Sequence, residues 1–334
     1  AFTTAIVSGL ILMCLGVAAA KPILTIMGTP DDVLPLAATY LRIYFLGIPF
    51  FLIFNFGAAI LRSMGDTKRP LYILVIAGII NTLLNLFFVI ALKMSVAGVA
   101  VATGIANMVS ALLIIRLLCK EKAPFKLHLN KIGVAWSELR RMLIIGIPAG
   151  LQGMVFSFSN VLLQTAINSY GSDAIAGSAA ALNFEYYCYF VISAFNGAAI
   201  SFIGQNYGAG NKERVRRIYW ICLTLSVVCC GALNELFVWQ RHFFLSFFSN
   251  DPNVQTYGAT RMGIVLAWQF IASSYEISAS SLRGMGRSML PTILTVFGTC
   301  LLRIVWVYVV CPIWHTYDVI MLVYPVSWCI TGIM

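Results

Sequence analysis

Apolar runs of about 20 residues, the length of a helix that crosses a bilayer, follow one another through this 334-residue chain almost without pause. Hydrocarbon offers the backbone no hydrogen-bond partners, so such runs must be helices or the strands of a closed barrel. A barrel would show roughly ten-residue segments alternating in polarity, and the sequence has none. Charged residues make up 10% of the chain and hydrophobic ones 60%, whereas a soluble domain is about a quarter charged. The sequence predicts an all-α polytopic membrane protein. Ten spans are expected, at about 3–20, 33–60, 70–92, 95–118, 141–168, 174–203, 216–239, 255–281, 290–311 and 317–334. Pro49, Pro148 and Pro325 lie in or near the ends of these runs, as kinks or as purely architectural residues.

A net charge of +10 raises the question of nucleic acid, but the placement of the charge answers it. Sixteen of the 22 Lys and Arg residues fall on alternate connections, around 62–69, 116–141, 212–217 and 283–287. The positive-inside rule assigns those connections to the cytoplasm. The loops at 62–70, 119–140, 204–217 and 283–290 are thus expected on one side. Lys120, Lys122, Lys126 and Lys131 are expected to reach toward anionic lipid headgroups. Arg42, Lys93, Arg241, Arg261 and Arg303, with Lys21, are scattered.

The chain also repeats itself. "LRSMGDTKRP" at Leu61–Pro70 and "LRGMGRSMLP" at Leu282–Pro291 coincide at five positions, all 221 residues apart. The same shift lays Ala38, Thr39 and Ile43 over Ala259, Thr260 and Ile264. Six crossings fit in one period, and an even number returns the chain to the same side. The expectation is a parallel repeat of two six-helix lobes about an axis along the membrane normal. The fifth and sixth spans find no partner at that shift. The chain is therefore read as lacking the first two helices of the first lobe and the end of the second. Residues 1–118 would form the N-terminal lobe, 119–140 a cytoplasmic linker and 141–334 the C-terminal lobe.

Ionisable residues at membrane depth mark function, because each costs roughly 2.5–3.5 kcal/mol or more to place there. Nine of the twelve acids, including Asp31, Asp32, Asp66 and Glu121, lie in connections or near span ends. Glu235 falls about 27 Å along its helix from Arg217, at the outer interface. Glu185 and Glu276 are left as candidate coupling and substrate residues. Gln269, Ser273, Glu276 and Ser280 share one helical face by spacing. They either line a wet cavity or hydrogen-bond between helices. Tyr189 and Asn196 follow Glu185 on one face, and a carboxylate beside an aromatic ring suits an organic cation. Few buried cations exist to pair with Glu185, Arg303 being the one candidate. Asn81 and Asn85, four apart, line a cavity or join helices, and Gln152 is a further cavity candidate. The "GAG" at Gly208–Gly210 reads as a helix-breaking turn rather than a phosphate loop. The nine cysteines and three histidines form no disulfide framework and no ligand-spaced cluster.

"GQNYGAGNKERVRR" at Gly204–Arg217, "YGSDAIAGSAA" at Tyr170–Ala180 and the doubled "LR-x-M-G" turn resemble the multidrug and toxic compound extrusion family. The resemblance runs along essentially the whole chain, placed as family helices three to twelve. It implies a monomeric, multi-pass protein of the bacterial inner membrane and alternating access. The activity implied is H+- or Na+-coupled export of amphiphilic, often cationic compounds. No cofactor is implied beyond the transported coupling ion, and no nucleic-acid partner. Two departures stand out. Where many members read N-x-x-L-D, this chain has "NTLLN", with Asn85 in place of the acid. The segment after Pro148, "AGLQGMVFSFSN", lacks an acid found in some sodium-coupled members. The alternatives are a lipid-linked oligosaccharide flippase of the same superfamily and an integral-membrane enzyme. A flippase would want a row of cationic cavity residues, and only acids and amides are expected in this cavity.

Overall fold

Each apolar run lies on helix in the computed structural model, which describes residues 2–26, 33–122, 125–128, 130 and 133–334. Asp31, Asp32 and Lys131, expected in solvated connections, lie outside the described residues. No strand occurs among the described residues. Among the described residues seven helices are long and apolar enough to cross a membrane, or eight if one bent pair is a single span. The sequence predicted ten, and the two remaining runs fall short for separate reasons. The 255–281 run is broken in the middle and carries a polar stripe. The last, Tyr317–Ile333, is 17 residues long, less than the usual 20 or so.

The chain divides into two compact units, Ala1–Arg140 and Arg141–Met334. In the first, α1 (Phe2–Ile26) packs on α2 (Leu34–Leu46) and α3 (Ile48–Ser63). Helix α5 (Ser95–Lys120) packs on α2, α3 and α4 (Lys68–Leu86), the last extended by a π turn at Phe87–Ala91. Helices α2 and α3 meet at 42°. The bend falls at Gly47–Pro49, where the proline cannot donate a backbone N–H to continue the α2 ladder. Pro148 and Pro325 lie inside helices that run through them.

The second unit is built around α7 (Ser172–Gly208), which packs on α8 (Lys212–Trp239), α10 (Pro252–Ile264) and α11 (Ala272–Gly284). Between α8 and α10 lies the short α9 (Arg241–Ser246), and α6 (Trp136–Asn168) leads into the unit. A 3-10 turn at Leu266–Ile271 separates α10 from α11. The remaining elements are α12 (Met289–Thr295), α13 (Leu302–Val305) and α14 (Tyr317–Ile333), with π turns on either side of α13. Apolar side chains gain little by leaving lipid, so close packing and polar contacts must join such helices. Gly177 shows the first device: a Cβ there would sit 2.4 Å from the Val254 carbonyl oxygen and 2.8 Å from the Gly258 nitrogen. Only a glycine lets α7 and α10 approach so closely.

The two similar turns have the same local geometry. Gly65 and Gly286 adopt φ of +84° and +81°, a region open to glycine at little cost. The Asp66 N–H donates to the Leu61 carbonyl at 3.0 Å, and the Arg287 N–H to the Leu282 carbonyl at 2.8 Å. Both turns are Schellman closures that satisfy the last carbonyls of a helix. Element ends repeat as well. Helices α3 and α11 end 221 residues apart, at Ser63 and Gly284, and α4 and α12 begin 221 apart, at Lys68 and Met289. The α2–α3 bend at Gly47 maps by the same shift onto Trp268, inside the 3-10 turn.

The 204–217 stretch is less of a loop than its glycines imply. Helix α7 continues to Gly208 and α8 begins at Lys212, leaving a short turn at Ala209–Asn211. Gly210 adopts φ +75° there, and the Asn211 side chain caps α8 by accepting from the Arg214 N–H at 3.0 Å. Near the start of the 119–140 connection, Arg69 binds both Asp66 and Glu121. Burial pushes the Asp66 carboxyl up in pKa, but the hydrogen bonds and charge of Arg69 pull harder and hold it below its ordinary value.

Candidate functional site

Glu185 lies on α7 and is buried. The Arg261 guanidinium of α10 grips it in a fork, Nε donating to Oε1 at 2.6 Å and an Nη to Oε2 at 3.0 Å. Arg261 is itself 2% exposed. Bidentate pairing of this kind is the strong form of the ion pair, and it commits both carboxylate oxygens. Two expectations are corrected here. The partner of Glu185 is Arg261, which the sequence left among the scattered cations, and not Arg303. The acid is held in a structural pair rather than standing open for a cation.

The pair forms one wall of a cavity of about 230 Å3 within the second unit. Tyr189, 41% exposed, and Gln269 also line it. Gln269 donates from Nε2 to the Glu185 backbone carbonyl at 3.0 Å, while its buried Oε1 has no partner. Arg303 of α13 is the second cation in the wall and is 1% exposed. It donates to Asn160 Oδ1 at 2.9 Å and to Ser327 Oγ at 3.3 Å. Its guanidinium carbon lies 4.7 Å from the Tyr324 ring centre and 5.1 Å from that of Phe156. No carboxylate forms a salt bridge with it among the described residues. The expected lining of acids and amides alone is therefore overturned. An intramembrane arginine is as expensive as an intramembrane acid, and that rule, applied to both signs of charge, would have nominated Arg261 and Arg303.

Glu276 on α11 is partly buried and outside the lining of that cavity. Asn196 of α7 donates to its Oε2 at 3.0 Å, and among the described residues it is the one hydrogen-bond partner of Glu276. Arg283 is the cation that acts on it electrostatically, while donating to Gln152 Oε1 at 2.6 Å. Gln152 and Asn196 thus join Glu276 in one polar cluster with Arg283. The expected single stripe from Gln269 to Ser280 is split. Gln269 sits in the 3-10 turn, whose three residues per turn break phase with the 3.6 of α11. Ser273 accepts from Ser226 of α8 at 2.9 Å and so joins two helices. The buried hydroxyl of Ser280 has no partner.

In the first unit, Asn81 donates to Thr103 of α5 at 3.3 Å, and Asn85 to Asn81 at 3.0 Å. The Asn81 contact joins α4 to α5, and Asn85 Oδ1 is buried without a partner.

Helices of membrane-crossing length, with buried charges that face an internal cavity, define a multi-pass membrane protein. A model of the MatE family matches residues 1–87 and 148–309, and the chain belongs to that family. It is 35% identical over 195 residues to the "Probable multidrug resistance protein YpnP" of Bacillus subtilis, which covers 58% of this chain and 43% of that one. It is 26% identical over 299 residues to the "Probable multidrug resistance protein YoeA" of the same organism, covering 86% and 64%. An "FAD transporter" of Shewanella oneidensis is 26% identical over 292 residues, covering 81% and 63%. The chain thus spans less than two thirds of the length of these relatives. Among solved structures, a MATE protein in the bent conformation superposes with a TM-score of 0.84 at 20% identity, over 98% of this chain and 74% of that one. A MOP superfamily transporter from Pyrococcus furiosus gives 0.90 at 19%, over 98% and 75%. Such likenesses establish the fold.

Proposed function

We propose that the protein exports amphiphilic organic compounds by alternating access, in exchange for H+ or Na+ taken up at Glu276. The observation that carries this is the state of Glu276. It is an intramembrane carboxylate with one amide donor and, among the described residues, no salt bridge, while Arg283 acts on it through space and is held by Gln152. A carboxylate so placed can trade one cation for another, whereas Glu185, with both oxygens held, cannot do so without breaking its fork. Coupling therefore moves to Glu276 alone, and the aromatic cavity beside Glu185 becomes the place for cargo. Multidrug resistance and FAD transport, the activities named for the relatives, both concern organic compounds, and the proposal takes over that common ground.

The parallel repeat belongs to the same reading. Its support is the recurrence of turn geometry and helix ends at a spacing of 221. The protein is read as a monomer in a bacterial inner membrane with its basic connections in the cytoplasm, by the distribution of Lys and Arg. The flippase alternative needs a row of cationic residues. Arg261 is neutralised by Glu185, and Arg303 alone does not make a row.

The test is efflux of a fluorescent amphiphile from proteoliposomes holding the full chain, with sodium and pH gradients imposed separately. Gradient-dependent efflux with one of the two ions is the expected result. Efflux indifferent to both gradients would remove ion coupling from the account.

A further inference from the structure

We infer that the cavity beside Glu185 selects a planar aromatic anion, a single ring bearing a carboxylate, sulfonate or phosphate, with Arg303 as its charge-reading residue. The inference rests on the reading of this cavity as the cargo site and adds the chemical class of the cargo.

The charges decide the sign. Arg261 and Glu185 cancel in their fork at 2.6 and 3.0 Å. Glu276 has Arg283. Arg303 donates to two neutral oxygens, those of Asn160 and Ser327, and feels Glu185 only through space, so the cavity wall holds two arginines against one carboxylate. A guanidinium has five N–H donors and stays charged in proteins, so three of its donors are unused by these bonds. A buried charge without a counter-ion is costly, and the two flanking rings supply only part of the compensation. An entering anion would supply the rest, and an organic cation would meet uncancelled positive charge. The wall thus repels cations as well as attracting anions.

Size and shape come from the rest of the lining. A void of about 150 Å3 accepts benzene, so about 230 Å3 takes one ring and a small acidic group. Tyr275, Tyr324, Trp328 and Phe156 offer aromatic faces. The unpartnered buried Oε1 of Gln269 asks for a donor on the ligand, such as an amino or hydroxyl substituent on the ring.

Three isosteric probes test this: anthranilate, its neutral amide and the cationic 2-aminobenzylamine. Equilibrium binding of each to the full chain in nanodiscs, with no gradient, is the measurement. Anthranilate should bind saturably and about ten- to a hundredfold more tightly than the amide, the range set by charge-assisted hydrogen bonds, with the amine weakest. Arg303→Gln should remove the preference for anthranilate over the amide, and Arg303→Lys should restore part of it. Benzenesulfonate should compete, and inorganic phosphate, lacking a ring, should not. Absence of saturable anthranilate binding, equal affinity for all three probes, a preference for the amine, or full anthranilate affinity in Arg303→Gln would overturn the inference. Effective competition by inorganic phosphate would do the same. If Arg303→Gln does not fold, the charge series on the unaltered protein decides alone. Failure of ion coupling would leave the binding preference intact, so the two readings fail separately.

Discussion

Glu185→Gln should destabilise the protein by about 3 kcal/mol. The fork supplies two charge-assisted hydrogen bonds to Glu185, which is 7% exposed, each worth about 1.5–3 kcal/mol. Glutamine retains one acceptor and loses the charge. The Tyr324 ring, 5.4 Å from the Arg261 guanidinium carbon, keeps its cation–π contribution of about 1 kcal/mol. What is lost falls at the lower end of the roughly 3–5 kcal/mol for breaking one side of a buried pair. Glu185→Ala, which retains no acceptor, should lie at the upper end. The double variant Glu185→Met with Arg261→Met removes both charges and should fall within about 1 kcal/mol of the native protein. The assay is a double-mutant cycle on denaturant unfolding in mixed micelles, read by tryptophan fluorescence. A coupling energy of at least about 2 kcal/mol is expected. A Glu185→Gln variant within about 0.5 kcal/mol of native, the range of surface substitutions, would refute the structural role and return Glu185 to the list of exchangeable acids.

Gly177→Ala should destabilise by about 1–3 kcal/mol, since its Cβ meets backbone. Gly197→Ala, with open space around it, should be neutral or slightly stabilising in the same thermal-shift assay. Gly286→Ala, strained at φ +81°, should cost about 1–2 kcal/mol and lower the melting temperature. Asp66→Asn should cost under about 1 kcal/mol, because exposed pairs are worth little. The Asp66 carboxyl is held below its ordinary value of 3.8, so the native advantage is present above that pH and lost as pH falls through the folded-state value. Stability curves of both proteins from pH 2 to 7 should converge at the acid end.

The helices were legible in the sequence because membrane insertion writes them as apolar length, and the doubled turn because a Schellman closure demands glycine at one position. Pro49 was legible as a kink for the same local reason. The Glu185–Arg261 fork was not, because its members are 76 residues apart and no periodicity links α7 to α10. In sequence Arg261 is a lone cation away from the basic connections, although its burial gives it the same standing as Glu185. The stripe from Gln269 to Ser280 was misread because one period was applied across a 3-10 turn. Spacing gives a face only where the helix type is uniform. Ser273 and Asn81 show the remaining ambiguity, since a hydroxyl or amide that joins helices has the same sequence signature as one that lines a cavity.

The central claim is that cation exchange at Glu276 drives export, and Glu276→Gln tests it most directly. Proteoliposomes containing the variant are compared in two modes with one fluorescent cargo: gradient-driven efflux, and cargo–cargo counterflow with no ion gradient. Glutamine preserves the shape and the Asn196 contact while removing the exchangeable charge. The account predicts counterflow near the native rate and gradient-driven efflux reduced to the level of liposomes without a gradient. Native gradient-driven efflux from the variant would contradict it and place coupling elsewhere in the protein.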